Sequence, residues 1–367
     1  ADVTYEYFGV EGWISGLLMS VIVAAVILGG IKRIAKVTSM IVPIMVTLYI
    51  IAGIYVLIVN FSDIPEMFRL IVVSAFTTSE ASGAFIGGSV GTAFMFGTKR
   101  AIFSNEAGQG SSPIVHAAVK TNEPAREGII AGIEPLIDTI VVCTFTALII
   151  LSTGIWDRNV DVQFSAPPKI INQGDIWSFS DTLHTNKSGK KGDPVIMHVI
   201  ADFNKVTGQY IHKVPGIIIS KDNSLEIKWD DFRSSKKPKI HSKGYYFDYV
   251  GATLTAKAFD AVNLGLGKWL ITIASWFFAI STIMAWGYYG EQGLIYLFGE
   301  KSVFVYRITY CSLIFIATLG FIETSVDLDN LSGIGLGIIV YANLPICWIF
   351  GYRAINRYKE YIKNERA

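Results

Sequence analysis

Uncharged apolar runs, each followed by a short polar segment, dominate this chain. Residues 14–31, 37–59, 139–156, 269–290 and 331–352 carry no charge. The run 139–156 extends back to about residue 125 through Glu134 and Asp138, and 308–322 grows to spanning length if it starts near Ser302. A bilayer crossing takes roughly 20 apolar residues, about twice a barrel strand, so these runs predict spanning helices. Residues 85–121 read differently. The apolar stretch is interrupted by Gly83, Gly87, Gly88, Gly91 and Gly97, and then runs into Asn105-Glu106 with Gly108, Gly110 and Pro113 close behind. Such residues make a poor continuous helix. The pattern predicts a helix broken at about residues 105–111, near membrane depth.

Residues 157–249 reverse the pattern: polar, lysine-rich, with no spanning run. Alternation predicts strands at 195–200, 211–219 and 224–229, and Lys221-Asp-Asn-Ser224 reads as a hairpin turn. A small β-rich soluble insertion is expected there, with ligand or partner capture as the less favoured role. The predicted domains are a first transmembrane part (1–156), the insertion (157–249), a second transmembrane part (250–352) and a basic tail (353–367).

Composition agrees with the runs. Hydrophobic residues make up 51% of the 367 and charged residues 17%, against about 25% charged in soluble domains. Mean hydropathy is +0.45. The net charge of +1 gives no whole-chain case for nucleic-acid binding. Basic residues cluster at Lys32, Arg33 and Lys36, at Lys120 and Arg126, at Lys301 and Arg307, and in the tail. Placing these loops inside the cell gives one consistent seven-span topology, with a cytoplasmic carboxyl terminus and an extracytoplasmic insertion. The three cysteines, Cys143, Cys311 and Cys347, all fall in spans, so the insertion has no disulfide and no cysteine metal site. No Walker loop, catalytic triad or metal cluster stands out. That argues against an ATP-driven pump and an enzyme, and no cofactor is expected. The chain starts at Ala1, close to a span and without a signal peptide, and reads as amino-terminally incomplete.

The ends of a broken helix leave unpaired N–H and C=O groups, which suit a carboxylate and an ammonium or Na⁺ respectively. Phe103, Ser104, Asn105, Glu106, Ala107, Gly108, Gly110 and Ser111 are therefore the candidate substrate residues. The plainer reading is a glycine kink for helix packing. Glu106 is open to three roles: binding the amine, bracing the break, or exchanging a proton; bracing is preferred. Glu134 and Asp138, one turn apart, support that region or serve packing. Lys99 and Arg100 form either a gate with an acidic partner, for which segments outside this chain are one source, or an interface marker. His116 reads as a packed or interfacial residue. Ser281 and Thr282 lie mid-span, where such side chains usually bond their own backbone.

The segment Lys99-Arg-Ala-Ile-Phe-Ser-Asn-Glu-Ala-Gly-Gln-Gly-Ser-Ser-Pro113 resembles the R-G-L-F-S-N-E-A-G-L-G-S-A-P signature of the alanine or glycine:cation (sodium:alanine) symporter family. Further blocks agree in order: residues 27–36, 137–144 (I-D-T-I-V-V-C-T), 278–282 (F-A-I-S-T) and 286–291 (W-G-Y-Y-G-E). The likeness covers about residues 10–155 and 250–350. It implies an all-α polytopic membrane protein with the leucine-transporter-type inverted-repeat fold, the second repeat complete and the first partial. It also implies Na⁺-coupled symport of alanine or glycine across the cell membrane, with Ser281 and Thr282 as Na⁺ ligands, Na⁺ as the coupling ion and the lipid bilayer as the surroundings. The family's early helices are missing here, its loop at 157–249 is usually short, and Ala342 replaces a proline in the final block. Asp329 and Asn343 of that block are not assigned to the site. The missing helices would supply half of each ligand shell, so residues 1–367 alone are expected to be inactive. The resemblance leaves open alanine, glycine or a D-amino acid as substrate, and Na⁺ or H⁺ as coupling ion. The rivals are an H⁺-coupled amino-acid transporter, a channel, and a sensor that binds ligand on its outer domain.

Overall fold

A computed structural model of the chain describes residues 1–76, 90–172, 174, 176–184, 189–204, 209–221, 224–249, 251–320 and 325–365. Gly83, Gly87 and Gly88 of the broken segment, Asp222 and Asn223 of the expected turn, and Arg366 of the tail lie outside these residues. The chain divides into two compact units. One comprises residues 1–59, 97–149 and 255–367, and the other 60–96 and 150–254.

The chain is mostly helical. In order come α1 (Asp2–Phe8), α2 (Gly12–Ile27), α3 (Gly30–Val59), α4 (Ile64–Phe76), α5 (Val90–Asn105), α6 (Ser112–His116), α7 (Pro124–Pro135) and α8 (Cys143–Ser152). After the strands follow α9 (Ala252–Val262), α10 (Thr272–Phe298), α11 (Val303–Ile316) and α12 (Ser325–Glu365). A π turn, Leu136–Val142, joins α7 to α8 in one helical rod, and another, Gly267–Ile271, leads into α10. Among the described residues, four helices are long and apolar enough to cross a bilayer: Gly30–Val59, Pro124–Ser152, Gly267–Phe298 and Leu328–Asn364. Of the seven expected spans, α2 and α11 run only 16 and 14 residues. Lys32, Arg33 and Lys36, expected in a loop, occupy the first two turns of α3 instead. Nothing in those turns breaks a helix, and basic side chains are good helix formers.

The first unit is held by helix faces and a few polar clasps. Val23 and Ile27 of α2, Ile34 of α3, and Ile280, Met284 and Tyr288 of α10 form one buried cluster, with Ile114 of α6 packed against it. Small residues let the helices approach. A Cβ on Gly53 would sit 2.4 Å from the Phe145 ring, and one on Gly287 would meet Ile27 and Tyr310 at 2.9 Å. Arg307 of α11 makes a bidentate pair with Glu291 of α10, both contacts at 2.8 Å. It also donates to the Leu28 carbonyl at the carboxyl end of α2, where a cation complements the helix dipole. Much of the remaining apolar surface is open: Ile51, Ile58, Tyr341, Trp348 and Ile349 are exposed. Apolar surface of this extent is what a bilayer covers.

Among the described residues of the second unit, ten strands run from Val162 to Phe247, every pairing antiparallel. The order β1-β10-β5-β6-β7-β4 makes one sheet, with β9 also on β5 (strands Val162–Gln163, Gly244–Phe247, Pro194–Asn204, Gln209–Lys221, Ser224–Trp229, Thr182–Leu183 and Lys239–Ile240). A second sheet is β2-β3-β8 (Ile170–Asn172, Ile176–Phe179, Phe232–Arg233). Val214, Gly216 and Ile218 of β6 alternate into the core, as a half-buried strand requires. The core also holds Val195, Met197, Ile227, Trp229 and Tyr245. Both buried indoles find acceptors, Trp177 on the Ser234 carbonyl and Trp229 on the Thr182 hydroxyl. Arg158 and Asp161 fasten the start of this stretch to its end. Arg158 donates to the Phe247 carbonyl (2.7 Å), and Asp161 accepts from the Phe247 N–H (2.8 Å).

Candidate functional site

Helix α5 stops at Asn105 and α6 resumes at Ser112, so the interruption falls where the glycines and Pro113 place it. Glu106 has φ 53°, the one non-glycine residue with positive φ among the described residues, and Gly108 and Gly110 have φ 78° and 85°. A left-handed residue without glycine costs about 1 kcal/mol or more, so the surroundings must hold Glu106 there. Ser111 does part of this by donating to the Glu106 carboxylate at 2.8 Å. Asn105 folds back on the turn, its side-chain oxygen accepting the Ala107 N–H at 2.9 Å.

The neighbouring helix braces the break. Its π turn presents Asp138 and Thr139 to the end of α5. Ser104 donates to Asp138 (2.6 Å) and Asn105 donates to Thr139 (2.9 Å). π turns of this kind are frequent at functional sites. Glu134, one turn earlier, faces His116 instead. From the carboxyl-terminal helix α12, Asn343 donates to the Gly108 carbonyl at 3.0 Å. Gly110 packs so closely on Asn343 that a Cβ there would approach its side chain to 2.8 Å. Further out on α12, Asp329 meets both basic residues of α5. Arg100 bonds its carboxylate at 3.0 and 3.1 Å, and Lys99 bonds its backbone carbonyl at 2.7 Å. The acidic partner of the cation pair therefore lies on this chain.

Not every candidate joins this cluster. The ring of Phe103 is exposed. Ser281 is buried in α10 and donates to the Phe278 carbonyl one turn back, with Thr282 beside it in the same helix. Asn343, Asp329, Thr139 and Gln109, which the sequence does not assign to the site, all contact the broken helix. Gln109 is 1% exposed and reaches the Ile102 carbonyl, which shields the turn. Sequence separation hid Asn343, since 235 residues lie between it and Gly108. His116, read as a packed residue, is paired with Glu127 and Glu134. Among the described residues no group of three or more His, Cys, Asp or Glu could hold a metal ion.

Among the described residues, four helices long and apolar enough to cross a bilayer mark a membrane protein. The chain belongs to the sodium:alanine symporter family, whose pattern it matches over residues 1–169 and 240–367. The unmatched part, 170–239, holds β2 to β8. The chain is 33% identical to the sodium/alanine symporter AgcS of Methanococcus maripaludis, over 86% of this chain and 50% of that one. It is 28% identical to a sodium/proton-dependent alanine carrier protein of Bacillus sp. strain PS3, over 99% of this chain and 65% of the relative. It is 33% identical to the amino-acid carrier protein AlsT of Bacillus subtilis over 42% of this chain and 33% of that one. The chain thus spans half the length of the first of these relatives. Its family is one of symporters, not enzymes.

Proposed function

We propose that the protein is a secondary active transporter that carries a small neutral amino acid, alanine or glycine, with Na⁺ by alternating access. The observation that supports this best is the braced break at residues 105–111. Three consecutive structural devices hold the backbone out of helical geometry there: a positive φ at Glu106, glycines at 108 and 110, and anchoring by Asp138, Thr139 and Asn343. A kink made only for packing would not need bracing from two separate helices. Backbone groups released at such a break bind substrate and ions in carriers.

In this reading Ser104, Asn105, Ala107, Gly108, Gly110 and Ser111 line the substrate site, with Phe103 at its margin. Glu106 and Asp138 hold its shape. Ser281 and Thr282 offer hydroxyl oxygens to Na⁺, a hard cation that prefers oxygen ligands. Lys99, Arg100 and Asp329 make a charged gate. The fold is of the leucine-transporter type, the carboxyl terminus is cytoplasmic, and the β-rich insertion is extracytoplasmic in the cell membrane. Names of relatives, sodium/alanine symporter and sodium/proton-dependent alanine carrier, favour alanine with Na⁺. The test is radiolabelled alanine uptake by the full-length protein in proteoliposomes. Saturable uptake that requires an inward Na⁺ gradient is expected; flux that never saturates would mark a channel and end the proposal.

A further inference from the structure

Val195, Met197 and Val199 of β5 point into the strand core, so His198 between them points to the opposite face. It is nevertheless 2% exposed. The segment 241–243, between β9 and β10, covers it. The N–H groups of His241 and Ser242 donate to the His198 carbonyl at 2.8 and 3.3 Å, and the His198 N–H donates to the Ser242 hydroxyl at 3.2 Å. The Tyr246 ring lies against the imidazole, with centroids 5.2 Å apart. His198, His241, Lys243 and Tyr246, with Asn159 and Val160, line a cavity of about 320 Å³. The His198 Nε2 has no hydrogen-bond partner among the described residues. A buried polar atom left without a partner is costly and calls for an explanation. The surroundings are basic. His241, Ser242 and Lys243 also line an adjoining cleft of about 730 Å³ that holds Lys237 and Lys239. Among the described residues no carboxylate lines either space. Asp161, which acts on Tyr246, is taken up by Arg158 at 3.1 Å. Burial, with Lys213 and His241 nearby, lowers the His198 pKa to about 4. Its ring is therefore neutral near pH 7 and carries one N–H.

We propose that this cavity binds a small oxyanion, the carboxylate or phosphate group of an organic anion. The oxyanion accepts the Nε2–H of His198 and selects the tautomer that offers it, while Lys243 supplies the opposite charge. The same lysines disfavour a cation. The adjoining cleft, with Phe164, Pro168 and Ile240 in its wall, offers apolar surface to the body of the ligand. Both volumes fall within the roughly 300–1,000 Å³ of small-molecule sites. His198, Lys237 and Lys239 lie in the stretch 170–239 that the family's pattern leaves unmatched. The site belongs to the second unit and the broken helix to the first, so its test does not depend on transport.

Calorimetric titration of the full-length protein in detergent at neutral pH tests this, with inorganic phosphate or acetate replacing chloride at constant ionic strength. Saturable binding of at least one anion is expected, and the tighter of the two tells a phosphate ligand from a carboxylate. His198→Asn and Lys243→Ala should each weaken binding roughly tenfold, as the loss of a bond to a charged group does. Lys243 is exposed, so its variant decides the matter if His198→Asn folds poorly. Lys228→Ala, on β7 and outside both spaces, should bind like the wild type. In a separate NMR titration, the Nε2 resonance of His198 should shift with the same midpoint as the heat. Heats that never saturate with either anion would overturn the site. So would equal weakening in Lys228→Ala and Lys243→Ala, which marks diffuse attraction to lysines, or a His198 resonance that ignores the bound anion.

Discussion

Asn343 reaches across the fold to satisfy the carbonyl of Gly108 at the point where α5 gives way to α6. Its loss would leave that carbonyl without its partner and Gly110 without the side chain it packs on. Losing one such bond costs about 1 kcal/mol, a factor of about 5. Asn343→Ala should therefore raise the KM for alanine roughly 5-fold under a Na⁺ gradient while expression and folding stay normal; an unchanged KM would detach Asn343 from the site. A different residue governs the β-rich stretch. His198 is 2% exposed in β5, and burial, with Lys213 and His241 nearby, pushes its pKa down to about 4. The unfolded chain then binds a proton that the folded one refuses between about pH 6.5 and 4. Stability contributed by this group is complete above that window and falls as pH drops through it, by about 3 kcal/mol in total. Urea unfolding of the intact protein, followed by tryptophan fluorescence, should show the β unit weakening from pH 7 to 4. His198→Asn should remove most of that slope, and an unchanged slope would refute the assignment.

Helix α3 rests on the α7–α8 rod through Gly53, where the Phe145 ring occupies the space a side chain would need, and through the bond between Tyr49 and Thr146 (2.6 Å). Gly53→Val should force the helices apart and destabilise the protein by about 1–3 kcal/mol, read as a lower melting temperature in detergent. A melting temperature within error of wild type would mean that this contact is dispensable. The elements themselves were legible to different degrees. Apolar runs betray helices because lipid removes every alternative, and the break announced itself through Gly108, Gly110 and Pro113. Helix ends were less legible: the charges of Lys32, Arg33 and Lys36 read as a loop, yet they fit the first turns of a helix. The strands β5 to β7 followed from alternation, whereas two-residue strands such as β4 and β8 are too short to show a period. What joins the elements was hidden. Periodicity says which face is apolar, not that Asp329 meets Arg100 or that Glu127 meets His116.

At the scale of the whole molecule, a chain with 17% charged residues joins helices of its helical unit through polar contacts that include Arg307 with Glu291, Arg100 with Asp329, and His116 with Glu127. Ionisable groups in spans are costly and by default functional, and two of these three pairs flank the broken helix. The family's pattern covers both sides of the unmatched strands, so the helical unit carries the family's character. The central claim is that one site couples Na⁺ to a small neutral amino acid. The most direct measurement is the alanine Kd of the full-length protein in detergent or nanodiscs, titrated at rising Na⁺ with K⁺ holding ionic strength constant. Coupling is reciprocal, and a factor of about 5 or more is expected. The account predicts that alanine binds more tightly as Na⁺ rises and that Na⁺ binds more tightly when alanine is present by the same factor. An alanine Kd that is the same in Na⁺ and K⁺ would contradict it.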